Sequence, residues 1–256
     1  PHPAPGRPRR GAMTTQPPLL ILGLLLGLSA AASAQERTVL ASKGDRKGQV
    51  LVLETTLDME RGFDRRTLIT LDSPDNTEQR RVPLLDGRRA RQLMKAGDWE
   101  LFRALEDRAL EGAMTRAKGK GFAPVTRRRD LRSEGTASFT FTWGDAPLEL
   151  RLVPGRRRAE LFLRRSPDGP ERRLTRLLPA PVPGPGGPVE LGADALREVA
   201  LVGNGRILLV VVGAWAPEGG RRVGWERVVL LPLKKTAHLW GLPYPLDPLD
   251  SEWQTP

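Results

Sequence analysis

Thirty carboxylates, two histidines and no cysteine bound the chemistry open to this 256-residue chain. Without thiols there is no cysteine nucleophile, no cysteine-ligated zinc and no disulfide. Beyond the N-terminal segment the single imidazole is His238, which excludes a multi-histidine metal centre. A serine-histidine triad would have to recruit that residue, yet none of Ser42, Ser73, Ser133, Ser138, Ser166 and Ser251 lies in a Gly-x-Ser-x-Gly elbow. What remains is a pair of acids of the kind that hydrolyses glycosides, and no spacing singles out a pair. Glu54, set among apolar strand residues, is the one acid expected to be partly buried, through a salt bridge or hydrogen bond with a nearby arginine. Residues Asp72 to Asn76 lack the spaced ligands and closing Glu of a calcium loop. The turns Gly119-Lys-Gly-Phe122 and Gly203-Asn-Gly-Arg206 lack a phosphate-loop or dinucleotide fingerprint. No catalytic residue, metal ligand or cofactor is therefore assigned.

The basic residues offer more. Lys and Arg number 41 against 30 acids, a formal charge of +11. A set on one face, Arg151, Arg158, Arg164 and Arg173, forms a candidate binding band for an anionic ligand, an envelope polymer or an acidic protein partner. The competing explanation is compositional, because 34 arginines against 7 lysines amid much Ala, Gly and Pro reads as scattered, solvated charge. Nucleic acid is not an expected partner: the runs Arg127–Asp130 and Gly155–Arg158 have no aromatics interleaved with them.

These arginines need a frame, and the periodicities supply one. Gly48–Leu57 and Arg66–Asp72 read as strands joined by a long-tipped hairpin, with a third short strand at Arg80–Leu85. From Leu93 to Ala117 apolar residues recur at three and four, which predicts one amphipathic helix, with Asp98 placed as N-cap for its longer part and glycines at 119 and 121 ending it. After Ala137 four alternating segments with short turns predict an antiparallel meander. Phe139, Phe141, Trp143, Leu148, Leu150 and Leu152 point inward, and the arginines point outward. Pro179–Gly192, with five prolines and four glycines, is expected to be a loop. Three strands follow it, and the unbroken apolar run Ile207–Val212 marks a central strand buried on both faces. The expected fold is α+β, an antiparallel sheet or sandwich of about eight to ten strands with one helix packed on it. Residues 35–235 form its single domain, and 236–256 an aromatic and proline-rich tail draped over the core.

Residues 1–34 are read as a leader and cleavable signal peptide. Leu19–Leu28 is apolar, and the uncharged stretch ends in Ala32-Ser33-Ala34 before the polar Gln35. That is short for a spanning helix, which needs about 20 residues, and it carries small side chains where signal peptidase accepts them. Cleavage between Ala34 and Gln35 is expected. It sends a soluble protein to the periplasm or outside the cell, and membrane attachment follows only if the peptide is retained. Its loss removes Arg7, Arg9 and Arg10 and no acid, so the mature chain stays basic.

Both ends of the mature chain resemble a family of bacterial predicted secreted proteins of unknown function. At the start, a strand carrying Glu54 is followed by Gly62-Phe63 and a strand ending in Asp72. At the end, two hydrophobic strands flank Glu218-Gly219. The resemblance implies an exported α+β domain and brings no activity or catalytic residues. The function expected is a non-enzymatic envelope binding or interaction module. The alternative is a carboxylate-based hydrolase of envelope glycans, which requires two acids in one cleft.

Overall fold

The strand run Ile207–Val212 has no polar face, so it requires apolar cover on both sides, and the architecture is built around that requirement. The computed structural model describes residues 33–44, 48–58, 63–72, 76–155, 158–165, 168–177, 180–184, 187–191, 195–218 and 221–247. The chain opens with four strands, β1 (Ser33–Lys43), β2 (Val50–Asp58), β3 (Phe63–Asp72) and β4 (Thr77–Pro83). Two helices, α1 (Gly87–Ala96) and α2 (Trp99–Gly119), lead to short strands β5 (Phe122–Pro124) and β6 (Arg128–Asp130). A meander follows: β7 (Ser138–Trp143), β8 (Ala146–Val153), β9 (Ala159–Arg165) and β10 (Glu171–Leu177). A hairpin of β11 (Ala180–Gly184) and β12 (Gly187–Leu191) precedes the long strands β13 (Ala195–Val202), β14 (Ile207–Glu218) and β15 (Arg221–Pro232), and α3 (Lys234–Trp240) closes the order.

The main sheet runs β4-β3-β2-β1-β15-β14-β13-β6, with β5 added to β1, and every pairing but one is antiparallel. The exception is the parallel contact of β1 with β15 at Ala34 and Gly224. At this seam the sheet turns back on itself. Val39, Val50, Val52, Ile69 and Leu71 of the first half then pack on Ala200, Leu209, Val211, Val228 and Leu230 of the second. The opposite face of the second half, with Val199, Leu208, Val210, Val212 and Val229, packs on the meander through Phe141, Trp143, Leu148, Leu150, Leu161 and Leu163. Alternate residues of β14 thus enter two different cores, as the unbroken apolar run predicts. Each such buried side chain contributes about 1.5–3 kcal/mol. The outer face of β1–β3 is covered by α2, where Ala41, Leu51, Ala117 and Phe122 meet. A bulge between Val39 and Ala41 lets neighbouring residues of β1 serve these two sides.

The fold is mainly antiparallel β with helices, as expected, but two details differ. The single helix predicted from Leu93 to Ala117 is two, because Gly97 adopts a left-handed φ of 70° and ends α1, and Asp98 then caps α2 by accepting the Leu101 N–H. With α3 there are three helices, and the described residues hold fifteen strands in three sheets, of which the main sheet alone, with nine, has the eight to ten expected. Three-residue strands such as β5 and β6 are too short to show a period. The proline-rich segment expected to be a loop contains the β11–β12 ribbon. Pro181 lies opposite Glu190 and Pro183 opposite Pro188, so these prolines share one class of register position. The ladder needs amide donors only at the alternate pairs, such as Val182 with Val189.

Beyond α3, Trp143 Nε1 donates to the Pro243 carbonyl at 2.6 Å and the Leu246 N–H to that of Gly205 at 2.7 Å. Leu246 is buried in the meander core, so this segment closes one end of the sandwich.

Candidate functional site

The four arginines proposed from the sequence lie on or beside the outer face of the meander. Acids of the same face take up three of them: Arg151 bonds Glu171 at 2.8 Å, Arg164 bonds Glu149, and Arg173 reaches Glu160 at 3.5 Å. Arg158 is exposed just before β9. Arg176 shares Glu160, so the face is an alternation of charges rather than a basic band. Ala34 and Gln35 fall in β1, so the expected cleavage between them would trim Ser33 and Ala34, and with them the Ala34–Gly224 pairing, from that strand, while Ala32, Gly62 and Gly219 lie outside the described residues. Among the described residues no helix is long and apolar enough to cross a membrane, and no group of three or more His, Asp or Glu is arranged to hold a metal ion. His238 is exposed on α3.

Three acids do meet. Glu54, Glu198 and Glu226 are 2–3% exposed and lie between the two halves of the folded sheet. Glu54 accepts from Arg37 Nη2 at 2.8 Å and from Arg81 Nη1. Glu226 accepts the backbone N–H of Arg37 at 2.7 Å and Arg132 Nε at 3.2 Å. Arg132 also donates to Glu198 Oε2 at 3.5 Å and to the Arg37 carbonyl at 2.7 Å. Burial pushes the Glu198 carboxyl above its ordinary range, and Arg132 and Arg128 pull against it. Burial alone would depress Arg132, but Glu226 and Glu198 outweigh it and hold the guanidinium firmly charged. Hydrogen bonds to Glu78 and then Glu54 do the same for Arg81.

This network is explained by the seam. Where β1 leaves β15 there is no strand to receive the Arg37 amide and carbonyl, so Glu226 and Arg132 receive them instead. Asn76 does the same farther along, exchanging two hydrogen bonds with the backbone of Leu230. The buried acids are committed to arginines and to backbone, an arrangement that holds the sheet together.

A cavity opens on the other side of β1–β4, under α2. Two cues create it. Glu106 of α2 is 1% exposed and binds both the backbone N–H and Nε of Arg66 at 3.0 Å, pinning the middle of the helix to β3. Farther along, Ala113 and Ala117, four residues apart on one helix face, present only methyl groups to the sheet. A cavity of about 420 Å³ results, within the usual range for small-ligand sites. Its apolar wall is Leu51, Leu68, Val82 and Phe122 with the two alanines, and Gln49 and Thr70 add polar groups. Lys43, Arg80, Arg116 and Lys120 line it as well, and among the described residues no acid does. Lys43 Nζ stands 5.1 Å from the centre of the Phe122 ring. None of the four forms a salt bridge with another described residue.

Sequence reasoning missed this set because it is drawn from β1, β4 and the end of α2. The available signal was the cluster Arg116, Lys118 and Lys120, which also suits the negative end of the helix dipole. No family model, curated protein or solved structure matches this chain.

Proposed function

We propose that this chain is an exported, non-enzymatic binding module that captures an anionic ligand, and that the cavity under α2 is where it does so. One observation carries the reading: four cations converge on a mixed apolar and polar hollow that no carboxylate among the described residues lines. An anion entering it meets charge that is not already spent, which is not true of the meander face, where Arg151, Arg164 and Arg173 each have an acid. The apolar segment Leu19–Leu28 with Ala32, Ala34 and Gln35 supports delivery to the periplasm or the exterior, where the anionic polymers of an envelope are the available ligands. The likeness to bacterial secreted proteins of unknown function accords with that destination. An acid-pair hydrolase is the weaker reading, since the buried carboxylates are held by arginines.

The test compares two variants of equal charge, using fluorescein-labelled polyphosphate as the anionic probe. Replacing Arg80, Arg116 and Lys120 by alanine is expected to weaken binding at least tenfold and flatten its salt dependence. Replacing Arg151, Arg164 and Arg173 is expected to change it less than threefold. Equal losses, or a larger loss in the second variant, reject the cavity as the site.

A further inference from the structure

A second cavity, of about 240 Å³, adjoins the first. Ala117 and Phe122 wall both. The two differ in character: the larger holds the four cations, whereas the smaller is walled by Ala41, Met114 and Pro124 as well as the shared pair, with Thr115 and Lys118 on the helix side. Charge at one end and apolar wall at the other is the complement of an amphiphile. A free inorganic anion would use only the larger space and leave its apolar wall wet. Val82 supports the same choice, as an apolar side chain of β4 that is 37% exposed at the larger cavity.

We infer that the ligand class is a single-chain anionic amphiphile, with a phosphate or carboxylate head among Lys43, Arg80, Arg116 and Lys120 and an alkyl chain running past Phe122 toward Met114. This rests on the cavity being the binding site, and it assigns the second cavity a role as the chain's channel. Association is then electrostatic at the head and hydrophobic along the tail, and the two contributions separate experimentally.

Calorimetric titration of the intact protein with butyl, octyl and dodecyl phosphate below their micelle thresholds tests this, with inorganic phosphate, octyl glucoside and polyphosphate as controls. The expected result is one site per chain, with affinity rising by up to about fourfold per methylene until the channel is filled. Octyl glucoside should bind at least tenfold more weakly than octyl phosphate. Arg80→Ala with Lys120→Ala should weaken every member of the phosphate series by a similar factor. Thr115→Trp, at an exposed position beside the smaller cavity, should leave butyl phosphate unaffected and remove the gain from octyl to dodecyl. Dodecyl phosphate binding no better than inorganic phosphate overturns the inference. If polyphosphate still binds through the cavity cations in that case, the binding module stands without the amphiphile. If polyphosphate also fails to bind, both readings fall. A chain-length gain that survives Thr115→Trp overturns the channel.

Discussion

The backbone N–H of Arg37 donates to the carboxylate of Glu226 at 2.7 Å across a sequence separation of 189 residues. This bond stands where a strand ladder would otherwise continue, and Arg132 completes it from the other side. Glu226→Ala removes the acceptor and leaves the half-buried Arg132 with less countercharge. The expected cost is about 3–5 kcal/mol, read as a lower urea midpoint with little change in slope. Glu226→Gln keeps an acceptor and should cost less.

Asn76 bonds both backbone groups of Leu230 from a left-handed conformation, φ 59°. Asn76→Ala forfeits two hydrogen bonds and strains the turn, for an expected loss of about 2–4 kcal/mol. Asn76→Gly loses the bonds without the strain and should be about 1 kcal/mol milder. Equal losses in the two variants would show that the backbone conformation is not a factor.

Glu198 gives a pH signature of defined sign. Its folded-state pKa is raised by burial, so between its ordinary value and the raised one the native state binds more protons than the unfolded state, and stability falls as pH rises through that window. Oε1 of this residue accepts no hydrogen bond among the described residues, and Arg128 Nη1 stands 4.0 Å from it. Glu198→Gln should therefore be at least as stable as the parent at pH 7, with the advantage shrinking toward pH 4. Urea midpoints measured across that range decide it. An advantage that grows on acidification has the wrong sign for this account.

Gly205, φ 76°, makes room for the segment after α3, since a methyl group there would meet the Leu246 carbonyl oxygen at 2.0 Å. Gly205→Ala is expected to destabilise by more than about 2 kcal/mol and to open residues 242–247 to proteolysis. A parent-like protease pattern would place that segment's anchorage elsewhere, on Trp143 and Pro243.

Much of the strand order was legible in advance because its signals are local. The alternation of Leu148, Leu150 and Leu152, the unbroken run Ile207–Val212 and the cap at Asp98 are written in neighbouring residues, and each governs the structure as read. The burial of Glu54 beside arginines was legible for the same reason, an acid in an apolar strand. The division of the helix at Gly97 and the ribbon through Pro181 and Pro183 were not. A glycine inside a helical period is usually tolerated, and the prolines' compatibility with a ladder depends on their partners' register. The candidate site was illegible for a further reason. Arg116 and Lys120 lie one helical turn apart at the end of α2, but Lys43 belongs to β1 and Arg80 to β4, and only packing of α2 across the sheet assembles the four. The arginines of the meander show the converse, because periodicity places them on one face without disclosing that Glu149, Glu160 and Glu171 stand beside them.

Because β14 enters two cores, it is the keystone in time as well as in space. The inner faces of β1–β3 and of β7–β9 are both finished before Ile207 is synthesised, and neither has its cover until β13–β15 arrive. Closure waits on pairings distant in the chain, which makes it slow. Until then the chain carries two sticky half-sandwiches, so a nascent chain stalled before residue 207 would need a holding chaperone, and one still threading through a translocase would have no finished fold to resist it.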